Sequence, residues 1–196
     1  MTATSYMPAV RRTVALLLLA TLLAALAVWQ VNRPAGTNTA SAAAVQMFMS
    51  AKGQTTGDFL GDSTQKGHEK DTVLLAYSYE LVSPRDAASG QATGRRIHKP
   101  VKVTKVLGSS SPQYLNALAT NERLTTVVIN FFKASRAGAS TNYYRVTLTD
   151  ANLSEISQHS ISGGDVTEDY SFTFRKIRQD DLVHNKSWQD DWAVIT

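Results

Sequence analysis

Tyr143-Tyr144-Arg145-Val146-Thr147-Leu148 and Asp169-Tyr170-Ser171-Phe172-Thr173-Phe174-Arg175 set the architecture of this chain. Tyr144, Val146 and Leu148 alternate with Tyr143, Arg145 and Thr147, and Tyr170, Phe172 and Phe174 alternate with Asp169, Ser171, Thr173 and Arg175. A strand turns successive side chains to opposite faces, so each segment predicts a strand with one face in a core. Working outward, Val73, Leu75, Tyr77, Tyr79 and Leu81 predict another inward face, and residues 126–132 a β-branched and aromatic run buried on both sides. Val101, Val103 and Leu107 predict a further strand, and residues 45–49 a first one. One segment breaks the period. Ser111-Pro112 places a capping residue before a proline, and Tyr114, Leu115, Leu118 and Ala119 then share a helical face that Asn121 ends. Many short strands with glycine-rich turns and one short helix predict an all-β barrel or sandwich.

The chain has 196 residues, 43% of them apolar and 18% charged, enough for a real core and incompatible with wholesale disorder. The absence of cysteine excludes a disulfide framework, a thiolate zinc site and a cysteine nucleophile. The formal net charge of +4 invites a nucleic-acid reading, but Arg11, Arg12 and Arg33 supply most of it, and no acid precedes residue 46. Beyond them, 17 basic residues face 16 acidic ones, so the rest of the chain is nearly neutral.

Residues 13–32 carry no charge and are rich in Leu, Ala and Val, behind the Arg11-Arg12 pair. That layout fits a cleaved signal peptide, with small-residue sites at Ala25-Leu26-Ala27 and Ala40-Ser41-Ala42, or an uncleaved signal anchor. Residues 1–31 are therefore expected to form a signal or anchor, residues 32–44 a linker, and residues 45–196 the folded domain. Paired arginines hold the N-terminus inside, which puts the domain outside the cytoplasm: secreted, periplasmic, or tethered at the inner membrane through the leader alone.

Catalytic patterns are thin. The sequence has no Gly-x-Ser-x-Gly elbow, no phosphate-binding Gly-x-x-x-x-Gly-Lys-Ser/Thr and no His-Glu-x-x-His. His68, His98, His159 and His184 are scattered without metal-ligand spacing, and no cofactor, metal or catalytic residue is assigned. His68 with Glu69 or Asp71 is the sole candidate proton-transfer pair, and Asp180-Asp181 and Asp190-Asp191 read as solvated carboxylates. Residues 83–95, with Pro84, Gly90 and Gly94, form the longest irregular stretch, of a length that is usually functional or mobile.

The segment Gly94-Arg95-Arg96-Ile97-His98-Lys99-Pro100-Val101-Lys102-Val103-Thr104-Lys105 is the densest signal. Its charges alone describe a loop feeding an edge strand guarded by lysines, and it lacks the interleaved aromatics that nucleic-acid stacking needs. It resembles the signature of the Hcp family, the haemolysin-coregulated proteins of bacterial type VI secretion. The resemblance runs in order through Val45-Gln46-Met47-Phe48-Met49, Lys66-Gly67-His68-Glu69-Lys70-Asp71, the helical segment from Ser111 to Ala119, Tyr170-Ser171-Phe172-Thr173-Phe174-Arg175-Lys176-Ile177 and Asp190-Asp191-Trp192.

This resemblance implies a barrel of two packed sheets with one flanking helix, assembled as hexameric rings that stack into a tube. Spike and sheath proteins and small effector cargo are the implied partners. Gly94, Arg95, Arg96, His98, Lys99, Pro100 and His68 are then expected at subunit contacts, and the loop holding Ser83, Pro84, Arg85, Asp86 and Gly90 at the contact between rings. The alternative is a tethered or secreted Hcp-like barrel that binds a partner without building a tube. The hydrophobic leader departs from the family pattern, whose members are loaded from the cytoplasm. The 19 residues after Ile177 make an appended enzymatic domain unexpected.

Overall fold

The alternating segments around Tyr144 and Tyr170 become the two longest strands of a computed structural model that describes residues 45–134, 140–160 and 164–193. All of these belong to the compact unit Ala43–Thr196; the expected leader and linker lie outside the described residues. In chain order the strands are β1 (Val45–Gly53), β2 (Thr72–Leu74), β3 (Ala76–Ser78), β4 (Leu81–Val82), β5 (Ile97–His98) and β6 (Val101–Val106). The helix α1 (Ser111–Ala119) follows, the only one among the described residues, and then β7 (Leu124–Ala134), β8 (Ser140–Ser160), β9 (Val166–Asp181) and β10 (Lys186–Asp191).

The main sheet runs β2-β1-β7-β8-β9-β6-β3, with β10 added to β9, and every pairing is antiparallel. Its two ends are the same piece of chain. β2 and β3 are separated by Leu75 alone; β2 pairs with β1 while β3 pairs with β6, so the sheet curls into a nearly closed barrel. The two packed layers expected from the sequence are opposite halves of this one sheet. Met49, Val101, Val103, Val127, Ile129, Val146, Leu148, Tyr170, Phe172 and Ile177 fill the interior, each almost fully buried. Closure removes the open edges that an exposed sheet would offer to aggregation.

Closure also overturns one expected face. Val73 and Leu75 are exposed, and Thr72 and Leu74 point inward instead. The inward parity switches at Leu75, whose amide donates to the Thr104 carbonyl at 2.7 Å, and Tyr77 and Tyr79 then pack against the core as expected. The run 126–132 alternates rather than burying both faces evenly: Val127, Ile129 and Phe131 point inward, Thr126, Val128 and Asn130 are half-buried.

The helix forms where Pro112 and Asn121 predict it, and Asn121 takes a φ of 51° just past its end, a conformation that asparagine tolerates. Its details differ. Ser110, not Ser111, occupies the N-cap, and the buried face is Ser111, Tyr114 and Ala117, leaving Leu115 exposed.

Candidate functional site

β5 and β10, ninety residues apart in sequence, bring the signature segment against the chain's C-terminal end. Asp190 accepts from the Arg96 guanidinium through both carboxylate oxygens, and its Oδ2 lies 2.9 Å from His98 Nε2. On the other side of the ring, His98 Nδ1 lies 2.6 Å from the Tyr79 hydroxyl. One neutral tautomer satisfies both contacts: Nε2–H donates to Asp190 while Nδ1 accepts from Tyr79. Phe174, Trp188 and Trp192 surround the imidazole at centroid distances of 5.5, 6.5 and 5.4 Å. The Arg96 guanidinium, helped by His98, holds the Asp190 carboxyl below the usual carboxylate range. Burial, and then the charge of Asp190, push the Tyr79 hydroxyl up to about 12. Asp190, expected to be solvated, is thus largely sequestered as the hub of this network. Its partners precede it by more than ninety residues, and no local pattern marks that pairing.

The other signature residues frame the hub. Arg95 is exposed on the rim of a cleft that Arg96, His98 and Trp192 complete. The Lys99 amide donates to the Glu80 carbonyl at 3.0 Å, Pro100 links β5 to β6, and a methyl group added at Gly94 would meet only Pro84, at ordinary contact range.

His68 is not part of this cluster. It stacks on Phe48 at 4.5 Å and 13°, meets Phe132 edge-on at 4.5 Å, and its Nδ1 lies 3.0 Å from Asp71 Oδ2. Phe48 alternates with the inward Met47 and Met49, so this trio sits outside the barrel core and pins the loop 61–71 onto the outer face of β1 and β7. Glu69 turns instead to the Gly67 amide at 2.9 Å, so of the two acids expected beside His68 Asp71 is the one that meets its ring.

The expected irregular loop is a hairpin arm. β4 and β5 pair Leu81 with His98 and Val82 with Ile97, and the ladder continues through Thr93 N to Pro84 O at 3.0 Å and an Arg85–Ala92 bridge. At the tip, Asp86 Oδ1 accepts from the Ala88 and Ser89 amides and the Ser89 hydroxyl, and Gly90 supplies a φ of 69° that a larger side chain would resist. Ser83, Arg85, Asp86 and Gly90 are exposed and Pro84 half-buried, so the arm projects from the foot that Arg96 and His98 anchor.

A second polar cluster escaped the sequence analysis. β6 is paired on both sides, by β3 and β9, so Lys105 does not guard an edge; it points inward on the same face as Val101 and Val103. Its ammonium lies 2.8 Å from Glu168 Oε2, 2.8 Å from Ser111 Oγ and 2.8 Å from the Val106 carbonyl. Glu168 also accepts from Ser111, Gln158 and Tyr170. Burial by itself would raise the Glu168 pKa, but these donors hold it below the ordinary glutamate value. The signal lay in parity, since Lys105 follows Val103 by two residues and Glu168 precedes Tyr170 by two.

Among the described residues no group of three or more His, Asp or Glu side chains gathers to hold a metal, and no helix is long and apolar enough to cross a membrane. Among the described residues these features define a β-barrel with one helix and a projecting arm, in which Asp190 is paired with Arg96 and His98, and Lys105 with Glu168. The family model described as "Type VI secretion system effector, Hcp" matches residues 48–180. The "Major exported protein" of Pseudomonas aeruginosa is 40% identical over 147 residues, covering 71% of this chain and 86% of that protein. The chain is also similar to a solved structure described as "Crystal structure of Hcp protein", with a TM-score of 0.71, 28% identity, and coverage of 75% of this chain and 99% of that one. The "Secreted protein Hcp3 from Pseudomonas aeruginosa" matches with a TM-score of 0.65 and 32% identity, over 77% of this chain and all of that one. The chain belongs to the Hcp family of type VI secretion proteins.

Proposed function

We propose that this protein is a structural, self-assembling component of type VI secretion, forming hexameric rings that stack into a tube or leave the cell carrying small effectors. The observation that carries this reading is the match in both sequence and barrel to exported and secreted Hcp proteins over nearly their whole length. A head-to-tail contact between identical copies closes into a ring, and matched ring faces extend it. The near neutrality of residues 46–196 suits copies that pack against one another. In this reading Gly94, Arg95, Arg96, His98, Lys99 and Pro100 border a subunit contact, and the arm holding Ser83, Pro84, Arg85, Asp86 and Gly90 reaches a neighbouring ring. His68 contributes by fixing the outer face on which such a contact rests. The role is structural rather than catalytic, and the machine's spike and sheath proteins are further partners.

A second reading rests on the sequence of residues 1–31, in which an uncharged apolar run follows Arg11 and Arg12. There the leader exports the barrel or tethers it to the inner membrane, and the barrel acts in the periplasm or outside the cell without a tube. One experiment separates the two. The protein is recovered from membrane and culture-supernatant fractions, its N-terminus sequenced and its particle mass measured. Rings of six in the supernatant support the tube component; a strict monomer at high concentration, retaining residues 14–31 in the membrane fraction, supports the tethered barrel.

A further inference from the structure

The cleft at the foot of the arm carries more positive charge than its own acids neutralise. Asp190 is committed to Arg96 and His98, and Asp191 lies 3.5 Å from Arg175. The side chains of Arg95 and Lys176 remain without a hydrogen bond or ion pair among the described residues, beside Trp192 at 53% exposure and Trp188 at 41%. Leu81, 41% exposed, extends the apolar floor. Exposed indoles flanked by unmatched cations are the composition of an interaction hot spot, and a monomer gains nothing by keeping them in water.

The complementary chemistry lies on the same molecule. On the outer face of β6, β8 and β9, a shallow concavity is lined by Glu155 and Asp169 with Ser157, Ser171 and Tyr77. Glu155 is exposed, with only a 3.5 Å contact from the Ser171 hydroxyl, and Asp169 accepts from Thr104 while His159 stays 3.8 Å away. Lys102 borders the same concavity, leaving it one negative charge in excess. Lys176 and Asp169 stand on one strand, seven residues apart, about 23 Å at ~3.3 Å per residue. Two different, oppositely charged patches on one chain make a heterologous contact, the kind that closes into a ring or extends a stack.

We infer that the Trp188–Trp192 cleft docks onto the Glu155–Asp169 face of a second copy, with Arg95 and Lys176 meeting the two carboxylates. This rests on the self-assembly proposed above and names the surfaces that meet.

The test uses the full chain and two charge-reversed variants, Arg95→Glu/Lys176→Glu and Glu155→Lys/Asp169→Lys, with particle mass as the readout and a thermal melt as the fold control. Each variant alone sets like charges against each other, and assembly should weaken on the order of a hundredfold. Mixed in equal amounts, the two restore opposite charges at every contact, and particles of wild-type mass return. If either double variant fails the melt, the exposed single changes Arg95→Glu and Glu155→Lys replace it in the same mixing scheme. Variants that assemble alone as the wild type does overturn the contact and leave self-assembly standing. Variants that fail alone and stay apart on mixing overturn this pairing of surfaces. A wild-type chain that stays monomeric overturns both readings.

Discussion

Lys105 and Glu168 meet at 2.8 Å with side-chain exposures of 2% and 0%, an ion pair sealed inside a barrel that is otherwise almost entirely apolar. Ser111 at the start of α1 bonds to both partners, and Gln158 on β8 and Tyr170 on β9 bond to Glu168. The network therefore ties the helix to three strands through directional bonds, where apolar packing alone would let it slide.

Removing one partner should be far worse than removing both. Lys105→Met leaves a buried carboxylate without its cation and is expected to cost about 3–5 kcal/mol. The double change Lys105→Met/Glu168→Leu removes both charges and should recover much of that loss. Urea denaturation of the three proteins reads the difference directly, and a double variant no better than the single one would contradict an ion-pair origin.

The same pair predicts the acid limit of stability. Glu168 and Asp190 both titrate below their ordinary values when folded, so their stabilising contribution is complete above the unfolded carboxylate pKa. It is lost as the pH falls through the lower folded values. Unfolding free energy should stay level at neutral pH and drop from the ordinary carboxylate range downward. Glu168→Gln starts from lower stability but should show a shallower acid slope, because one of the carboxylates held below its ordinary value is gone. An unchanged slope would place the acid sensitivity elsewhere.

Much of this fold is written in period-2 alternation, and the places where that signal fails share a cause. Tyr144, Val146, Leu148, Tyr170 and Phe172 face inward as their spacing predicts, because each sits in a long strand paired on both sides. Val73 and Leu75 break the rule because barrel closure makes one short piece of chain serve two neighbours, switching parity at Leu75. Lys105 sits at an inward position by parity, but its charge makes it look like a surface residue until a buried partner is found. Asp190 joins Arg96 and His98 only through the pairing of β10 with β9, a long-range event that local pattern does not encode. The arm was visible as a length of chain and not as a ladder, since its residues are small and polar on both faces.

Tyr79 gives a spectroscopic handle on the foot of the arm. Its hydroxyl is raised to about 12, first by burial and then by the Asp190 charge, and it lies 2.6 Å from His98 Nδ1. A tyrosine raised above its unfolded value stabilises the fold fully below the unfolded pKa of about 10 and loses that contribution as the pH rises toward the folded value. Ultraviolet titration of the wild type minus Tyr79→Phe should therefore isolate one tyrosine ionising near pH 12. Asp190→Asn should move that transition downward, because it removes the charge opposing ionisation. A Tyr79 transition near the free value, or one indifferent to Asp190→Asn, would break the proposed link between the arm and β10.

His68 offers the last discriminating change, because its two readings predict different outcomes. As a proton-transfer residue it would need a polar, reachable ring; here the ring lies between Phe48 and Phe132, and its side chain is 16% exposed. Two aromatic contacts at roughly 1 kcal/mol each put the cost of His68→Ala at about 2 kcal/mol. The loss should be local as well as global. The loop it pins is held to itself by Gly61 N to Lys70 O at 2.6 Å and Lys70 N to Ser63 O at 2.8 Å, and those two amides should exchange faster with solvent. His68→Phe keeps both ring contacts while giving up the bond to Asp71, so it should retain most of the stability and of the exchange protection. A His68→Ala protein with an unchanged urea midpoint, or a His68→Phe protein as weak as the alanine variant, would show that stacking is not what holds this loop to the barrel.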